Sequence, residues 1–214
     1  MSQIKGFVFD MDGVILDSES ISDITWEQTA KEFNVQMTKE ILNSCRGSNK
    51  NDILSKLSKI YGSDFDSEAF LNRTGVLFSQ IETEKGIPLL PYAKEILSYL
   101  KPKYKIALAS STKGSTVQRQ LQNCGVISFF EERITGEMVT HSKPNPEIYL
   151  MACKAIGLKP EECVAVEDSF NGIRSASAAG LCTIMVPDKV QPKKEIEILC
   201  WKVLKSLKEI ELYF

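Results

Sequence analysis

No apolar run in the 214-residue sequence approaches the length of a membrane-spanning helix. The first ten residues hold no long apolar stretch before an acid interrupts them, so no signal peptide is expected. Neither charge sign dominates. The 26 Lys and Arg against 28 Asp and Glu leave a net charge of −2, which gives no electrostatic footprint for a nucleic acid. The six cysteines (Cys45, Cys124, Cys153, Cys163, Cys182, Cys200) contain no C-x-x-C pair. Most lie in apolar surroundings, which excludes zinc and disulfides as the first reading and points to reduced core thiols in a cytoplasmic protein. Histidine occurs once, as His141, and reads as a solvated loop residue without a role. No internal repeat or low-complexity segment is present. No unusually apolar surface helix stands out, so a monomer is expected, with neither a nucleic-acid nor a membrane partner.

What is there is ample core: 43% of the residues are hydrophobic, enough for one large domain or a domain plus a smaller module. The run Phe7-Val8-Phe9 is too short for a helix and rich in strand formers, so it reads as a buried strand. Asp10-Met11-Asp12-Gly13 follows, with Gly13 permitting a sharp exit. Residues 17–85 then read as wholly helical. Ser18 and Ser67 are candidate caps, residues 39–45 form one of the helices, and residues 46–51 form a polar, basic loop. From residue 88 the pattern changes to alternating helices and strands. Strands are expected over 104–109, weakly over 133–135, over 163–166 and over 181–186, with a last short one in the tail. This alternation predicts an α/β fold, a Rossmann-like parallel sheet core from residues 1–16 and 86–214, with an all-helical domain of residues 17–85 inserted after the first strand.

Four polar groups fall at or beyond expected strand ends: Asp10/Asp12, Ser110-Ser111, Lys143 and Glu167-Asp168. Each alone is ordinary, since D-x-D is usually a solvated turn and S-S-T usually a helix cap. Together they describe phosphoryl chemistry. Asp10, Asp12 and Asp168 at one sheet edge repel one another unless a cation sits among them, and a hard oxygen site with open positions suits Mg2+. A phosphate needs positive charge and N–H donors. Lys143 supplies the first, and Ser110, the Ser111 backbone and the following helix start supply the second. Asp10 fits a carboxylate nucleophile that forms an aspartyl-phosphate, and Asp12 fits the acid/base.

This order of residues resembles the haloacid dehalogenase-like superfamily. Its four motifs are read as Phe7-Val8-Phe9-Asp10-Met11-Asp12-Gly13, Ala109-Ser110, Lys143-Pro144 and Glu167-Asp168-Ser169-Phe170-Asn171-Gly172-Ile173. The last motif, with Ala178-Ala179-Gly180 after it, resembles the subgroup of beta-phosphoglucomutase and of small phosphatases of sugar phosphates and phosphoglycolate. The resemblance implies Mg2+, an aspartyl-phosphate and a helical cap that closes over the substrate. It also implies a metal held by the Asp10 carboxylate, the Asp12 carbonyl and Asp168, with Glu167 close by. The dehalogenases lack the second aspartate, and Asp12 is present here, so a small phosphorylated metabolite, a sugar phosphate, is the expected substrate.

The cap separates phosphatase from mutase. Beta-phosphoglucomutases carry a histidine where this chain has Ser22, and an arginine after a cap-loop glycine where Gly47-Ser48-Asn49-Lys50 offers lysine. Both departures favour a phosphatase over a phosphomutase. A non-catalytic protein that retains the fold is the third alternative, and the filled catalytic positions weigh against it. Within the cap, Glu19, Arg46, Asn49, Lys50 and Arg73 are candidates to touch substrate, with Lys50 and Arg73 first and a solvated helical face the competing reading.

Overall fold

The computed structural model describes residues 3–46, 48 and 50–214. The chain runs β1 (Gly6–Phe9), α1 (Ser18–Glu32), α2 (Lys39–Cys45), α3 (Lys50–Tyr61), α4 (Ser67–Lys85), α5 (Ala93–Leu100), β2 (Lys105–Ser110), α6 (Gly114–Asn123), β3 (Glu132–Thr135), α7 (Glu147–Ala155), β4 (Cys163–Glu167), α8 (Phe170–Ala178), β5 (Cys182–Met185), α9 (Lys194–Glu197) and β6 (Lys202–Val203). It divides into two compact units. One is Met1–Asp17 with Pro88–Phe214, and the other is Ser18–Ile87.

The first unit is built on one sheet of order β3-β2-β1-β4-β5-β6, with every neighbouring pair parallel. Parallel strands covered on both faces read as unbroken apolar runs. Phe7-Val8-Phe9, Ile106-Ala107-Leu108-Ala109 and Val164-Ala165-Val166 accordingly have no exposed surface. One face packs Val8, Ala107 and Ala165 against Ile148, Tyr149 and Ala152 of α7 and Ala176 of α8. The strand order reverses at β1, whose Phe9 is level with Leu108 of β2 and Val166 of β4. In open sheets of this order ligands bind beyond the carboxyl ends of the strands at that reversal. Asp10 follows the end of β1 there, and Glu167 closes β4.

The second unit is helical throughout its regular structure. Trp26, Ala30, Leu42, Cys45, Leu57 and Phe70 form its core, with the Trp26 and Phe33 rings packed edge-on against Phe70 at 5.5 and 5.4 Å. Three local expectations are corrected. Ser18 is the first residue of α1 rather than its cap. The cap of α4 is Asp66, whose carboxylate accepts the Ala69 N–H at 2.9 Å, and Ser67 is the first helical residue. An aspartate one position earlier outcompetes the serine because its charged oxygen meets the partial positive charge of the helix start. Lys50 and Asn51 belong to α3 rather than to the loop before it. Gly47 and Asn49 lie outside the described residues. Among the described residues no helix is long and apolar enough to cross a membrane, and all six cysteines are free.

Candidate active site

The site is assembled from four chain segments that meet at the carboxyl edge of the sheet. Asp10 extends β1 by one residue, its N–H donating to the Val166 carbonyl at 3.0 Å. The chain then folds back on itself. The amides of Ile15 and Leu16 both reach the Met11 carbonyl, at 2.9 and 3.0 Å, and the Gly13 N–H donates to Leu16 at 3.0 Å. Gly13 sits at φ +75°, and a Cβ there would lie 2.3 Å from an Asp168 oxygen. The position therefore demands glycine twice over, for its backbone angle and for the closeness of Asp168.

β2 ends at Ser110, fully buried, whose Oγ accepts the Thr112 N–H at 3.1 Å. The Thr112 hydroxyl donates to Asp12 Oδ2 at 2.8 Å. Ser111 between them is exposed. The loop is pressed against the end of β3, where a Cβ on Gly136 would meet the Ser111 carbonyl oxygen at 2.1 Å.

Lys143 is the hub. Its ammonium donates to Asp10 Oδ1 at 2.6 Å, to Glu167 Oε1 at 2.6 Å and to the Ala109 carbonyl at 3.0 Å. A lysine has three donors, and all three are in use. Glu167 is equally engaged. Oε1 also accepts the Tyr149 hydroxyl at 2.7 Å, and Oε2 accepts Ser169 Oγ at 3.0 Å and the Asp168 and Ser169 amides, each at 3.2 Å. Gly172, at the start of α8, leaves room for this carboxylate, since a Cβ there would fall 1.8 Å from Oε1. Buried charge is tolerated only where it is paired and hydrogen-bonded, and Lys143 and Glu167 meet that condition.

Asp10 meets it less well. Burial pushes its carboxyl from an ordinary 3.8 up to about 8, with Lys143 opposing and Glu167 and Asp12 adding to the rise. Burial alone would depress Lys143, but the Asp10 and Glu167 carboxylates outweigh it and raise the ammonium. Tyr149 is raised well above the usual phenol range by burial and by Glu167, so its hydroxyl stays a donor. Among the described residues, Asp10, Glu167 and Asp168 can each offer an oxygen within 4.8 Å of the other two. Hard oxygen donors, and a buried carboxylate whose charge its surroundings oppose, fit a divalent cation such as Mg2+. Glu167 already has five protein donors, which leaves it little lone-pair capacity for a metal.

A pH dependence follows. The folded Asp10 carboxyl keeps its proton to a higher pH than the unfolded chain does. It therefore stabilises the metal-free fold fully below about pH 4 and loses that contribution as pH rises toward about 8. The melting temperature of chelator-treated protein is expected to fall between about pH 5 and pH 8, and saturating Mg2+ to flatten that fall. A metal-free melting temperature that rose over the interval would mean Asp10 is ionised throughout.

A family model described as haloacid dehalogenase-like hydrolase matches residues 7–186. The chain belongs to the haloacid dehalogenase-like hydrolases. Hexitol phosphatase A of Escherichia coli (strain K12) is 31% identical over 209 residues, covering 96% of this chain and 93% of its own. Beta-phosphoglucomutase of Bacillus subtilis (strain 168) is 25% identical over 193 residues, covering 86% and 83%. The crystal structure of a haloacid dehalogenase-like protein from Agrobacterium tumefaciens shares the fold, with a TM-score of 0.84 at 22% identity over 98% of this chain and 96% of that one. The family resemblance and the parallel α/β core expected from the sequence are both borne out.

This haloacid dehalogenase-like chain brings Asp10, Asp12, Ser110, Lys143, Glu167 and Asp168 to one sheet edge. Asp12 is outside the carboxylate group that could hold a metal, and its side chain is taken by Thr112. Lys143, expected to meet phosphate, spends its protons on Asp10, Glu167 and Ala109. The helical-unit candidates are engaged in ion pairs of their own. Arg46 pairs with Glu19 and Asp23. Arg73 grips Glu32 through two bonds of 2.5 and 2.8 Å, and Lys50 stands 3.4 Å from Glu68. His141 is an exposed loop residue whose Nδ1 lies 3.2 Å from Glu147. Thr112 and Tyr149, read from the sequence only as part of a helix-capping stretch and of a helix face, and Gly136 were given no role in the site. Tyr149 carried a usable signal: a tyrosine in an apolar helix stripe needs a partner for its hydroxyl when buried.

Proposed function

We propose that the chain is a Mg2+-dependent phosphomonoesterase that hydrolyses a small phosphorylated metabolite, a sugar phosphate, through an aspartyl-phosphate on Asp10. The observation that carries this reading is a buried carboxylate at the end of β1, 2.6 Å from the Lys143 ammonium and clustered with Asp168, with a second carboxyl two residues on. Asp12 distinguishes a phosphatase from a dehalogenase. Two relatives support phosphate esters as substrates, hexitol phosphatase A and beta-phosphoglucomutase. Ser22, where the mutase resemblance asks for histidine, favours hydrolysis over transfer.

Asp10 and Asp168, with the Asp12 carbonyl that the resemblance implies, would hold the cation. Bound there, Mg2+ would neutralise the acidic cluster and the phosphate oxygens, and keep Asp10 anionic. In the first step an Asp10 oxygen bonds to phosphorus as the bond from phosphorus to the ester oxygen breaks. The departing oxygen keeps that electron pair and takes a proton from Asp12, leaving as an alcohol. In the second step Asp12, now a carboxylate, takes a proton from the water that attacks phosphorus. The Asp10–phosphorus bond breaks, and inorganic phosphate and both aspartates are restored. Lys143 holds Asp10 on its attack line and offsets charge, and the Ser110 hydroxyl and Ser111 N–H supply donors for the phosphate oxygens.

The unit Ser18–Ile87 is assigned as the cap that selects the substrate. Within it Lys50, with a long and exposed pairing, is the better candidate for a second anionic group than Arg73 or Glu19, which are closely paired. Six free thiols suit a cytoplasmic setting. Phosphorus NMR of the protein with Mg2+ and a panel of sugar phosphates, phosphoglycolate and nucleoside monophosphates tests the proposal. Growth of the inorganic phosphate signal from one ester is expected. A shifted ester signal without inorganic phosphate would make the chain a mutase.

A further inference from the structure

We propose that Thr112 is a positioning residue for Asp12, its hydroxyl holding the carboxyl group where the departing ester oxygen can reach it. The inference rests on the phosphatase reading above and adds a residue to it. Asp10 and Asp12 come from the same turn but are held differently. Asp10 is buried against Lys143. Asp12 is partly exposed, and its Oδ2 accepts the hydroxyl of Thr112, 100 residues along the chain, at 2.8 Å.

Thr112 is itself immobilised. Its N–H donates to Ser110 Oγ at 3.1 Å, and its carbonyl accepts the Gly136 N–H at 3.1 Å. The preceding carbonyl, of Ser111, is packed so closely on Gly136 that a Cβ there would lie 2.1 Å away. The loop is thus tied to both β2 and the end of β3, with no slack through which the hydroxyl could drift. The cap position of α6 is Lys113, whose side chain makes no cap bond. Thr112 lies one residue before it, and its hydroxyl goes to Asp12.

The test uses the dependence of the first step on its leaving group. An alkyl phosphate needs a proton delivered to the departing oxygen, whereas an aryl phosphate such as para-nitrophenyl phosphate expels a stable phenolate without one. With Mg2+ present, kcat/KM reports steps up to the first bond cleavage for both esters. Thr112→Val is expected to lower kcat/KM about 10- to 100-fold on the sugar phosphate identified by NMR, mostly through kcat. On the aryl ester the loss is expected to stay below about 3-fold, because proton delivery contributes little there. Thr112→Ser keeps the hydroxyl and is expected to restore the sugar phosphate rate to within about 3-fold. An equal loss on both esters, no loss on either, or a serine variant as slow as valine would each overturn the inference. A wild-type protein that released phosphate from neither ester would overturn the phosphatase reading, and this inference with it.

Discussion

Asp10→Asn is expected to reduce phosphate release by at least about 10,000-fold, the scale on which loss of a covalent nucleophile acts. The amide is nearly the size of the carboxylate and can still accept from Lys143 through its oxygen, so the surrounding structure has little reason to move. What it lacks is the lone pair and charge that attack phosphorus. Because burial and neighbouring carboxylates crowd the native Asp10, removing its charge should leave the fold as stable as before or more so. Acid quenching during turnover of the radiolabelled ester should trap a phosphorylated wild-type protein and no phosphorylated variant. A variant within about 10-fold of the wild-type rate would remove Asp10 from the nucleophile's role.

Lys143→Met should be costly in a second way, because it removes the cation from the buried Glu167 carboxylate and a donor from Asp10. Asp10 and Glu167 each lose a bond of 2.6 Å, and Glu167 has no exposed surface through which water could replace it. Breaking a buried pair from one side costs about 3–5 kcal/mol, since the remaining charge stays desolvated. For a chain of this size that is a melting-temperature drop of about 6–20 °C. Glu167 keeps four other donors, which argues for the lower half of that range. Saturating Mg2+ should recover part of the loss by neutralising Asp10, while leaving catalysis impaired. A melting temperature within about 2 °C of wild type would mean the hub is not an energetic one.

The two variants separate what Lys143 and Asp10 contribute. On the proposed mechanism, loss of Asp10 should act on the chemistry, and loss of Lys143 on both the fold and the charge balance. Asp168 sits between these cases. It packs against Gly13 and shares the candidate metal group, so its loss should act mainly through metal affinity.

Much of the fold was legible because its signals are local. Phe7-Val8-Phe9 and Val164-Ala165-Val166 are apolar on both faces, a pattern that only a covered parallel strand explains. The acids that end these strands mark the functional edge, because strand ends in such sheets open onto one crevice. The cap of α4 was misread by one residue, since serine and aspartate stand side by side at 66 and 67 and only the built helix shows which oxygen meets the Ala69 amide. The candidate cations of the helical unit looked available for substrate because a sequence shows a charge without its partner. Arg73 and Glu32, 41 residues apart, meet only in the folded unit.

The sequence by itself determined the sheet, the helical insertion and the identity of the acids at the strand ends. These follow from apolar periodicity and from residue types a few positions apart. Only the tertiary structure decided how those residues are bound to one another. Lys143 divides its three protons among Asp10, Glu167 and a strand carbonyl, Tyr149 reaches Glu167, and Thr112 reaches Asp12. Each of these bonds joins segments far apart in the chain. Their geometry is set by the register of parallel strands and the packing of helices upon them, which no local pattern of residues encodes.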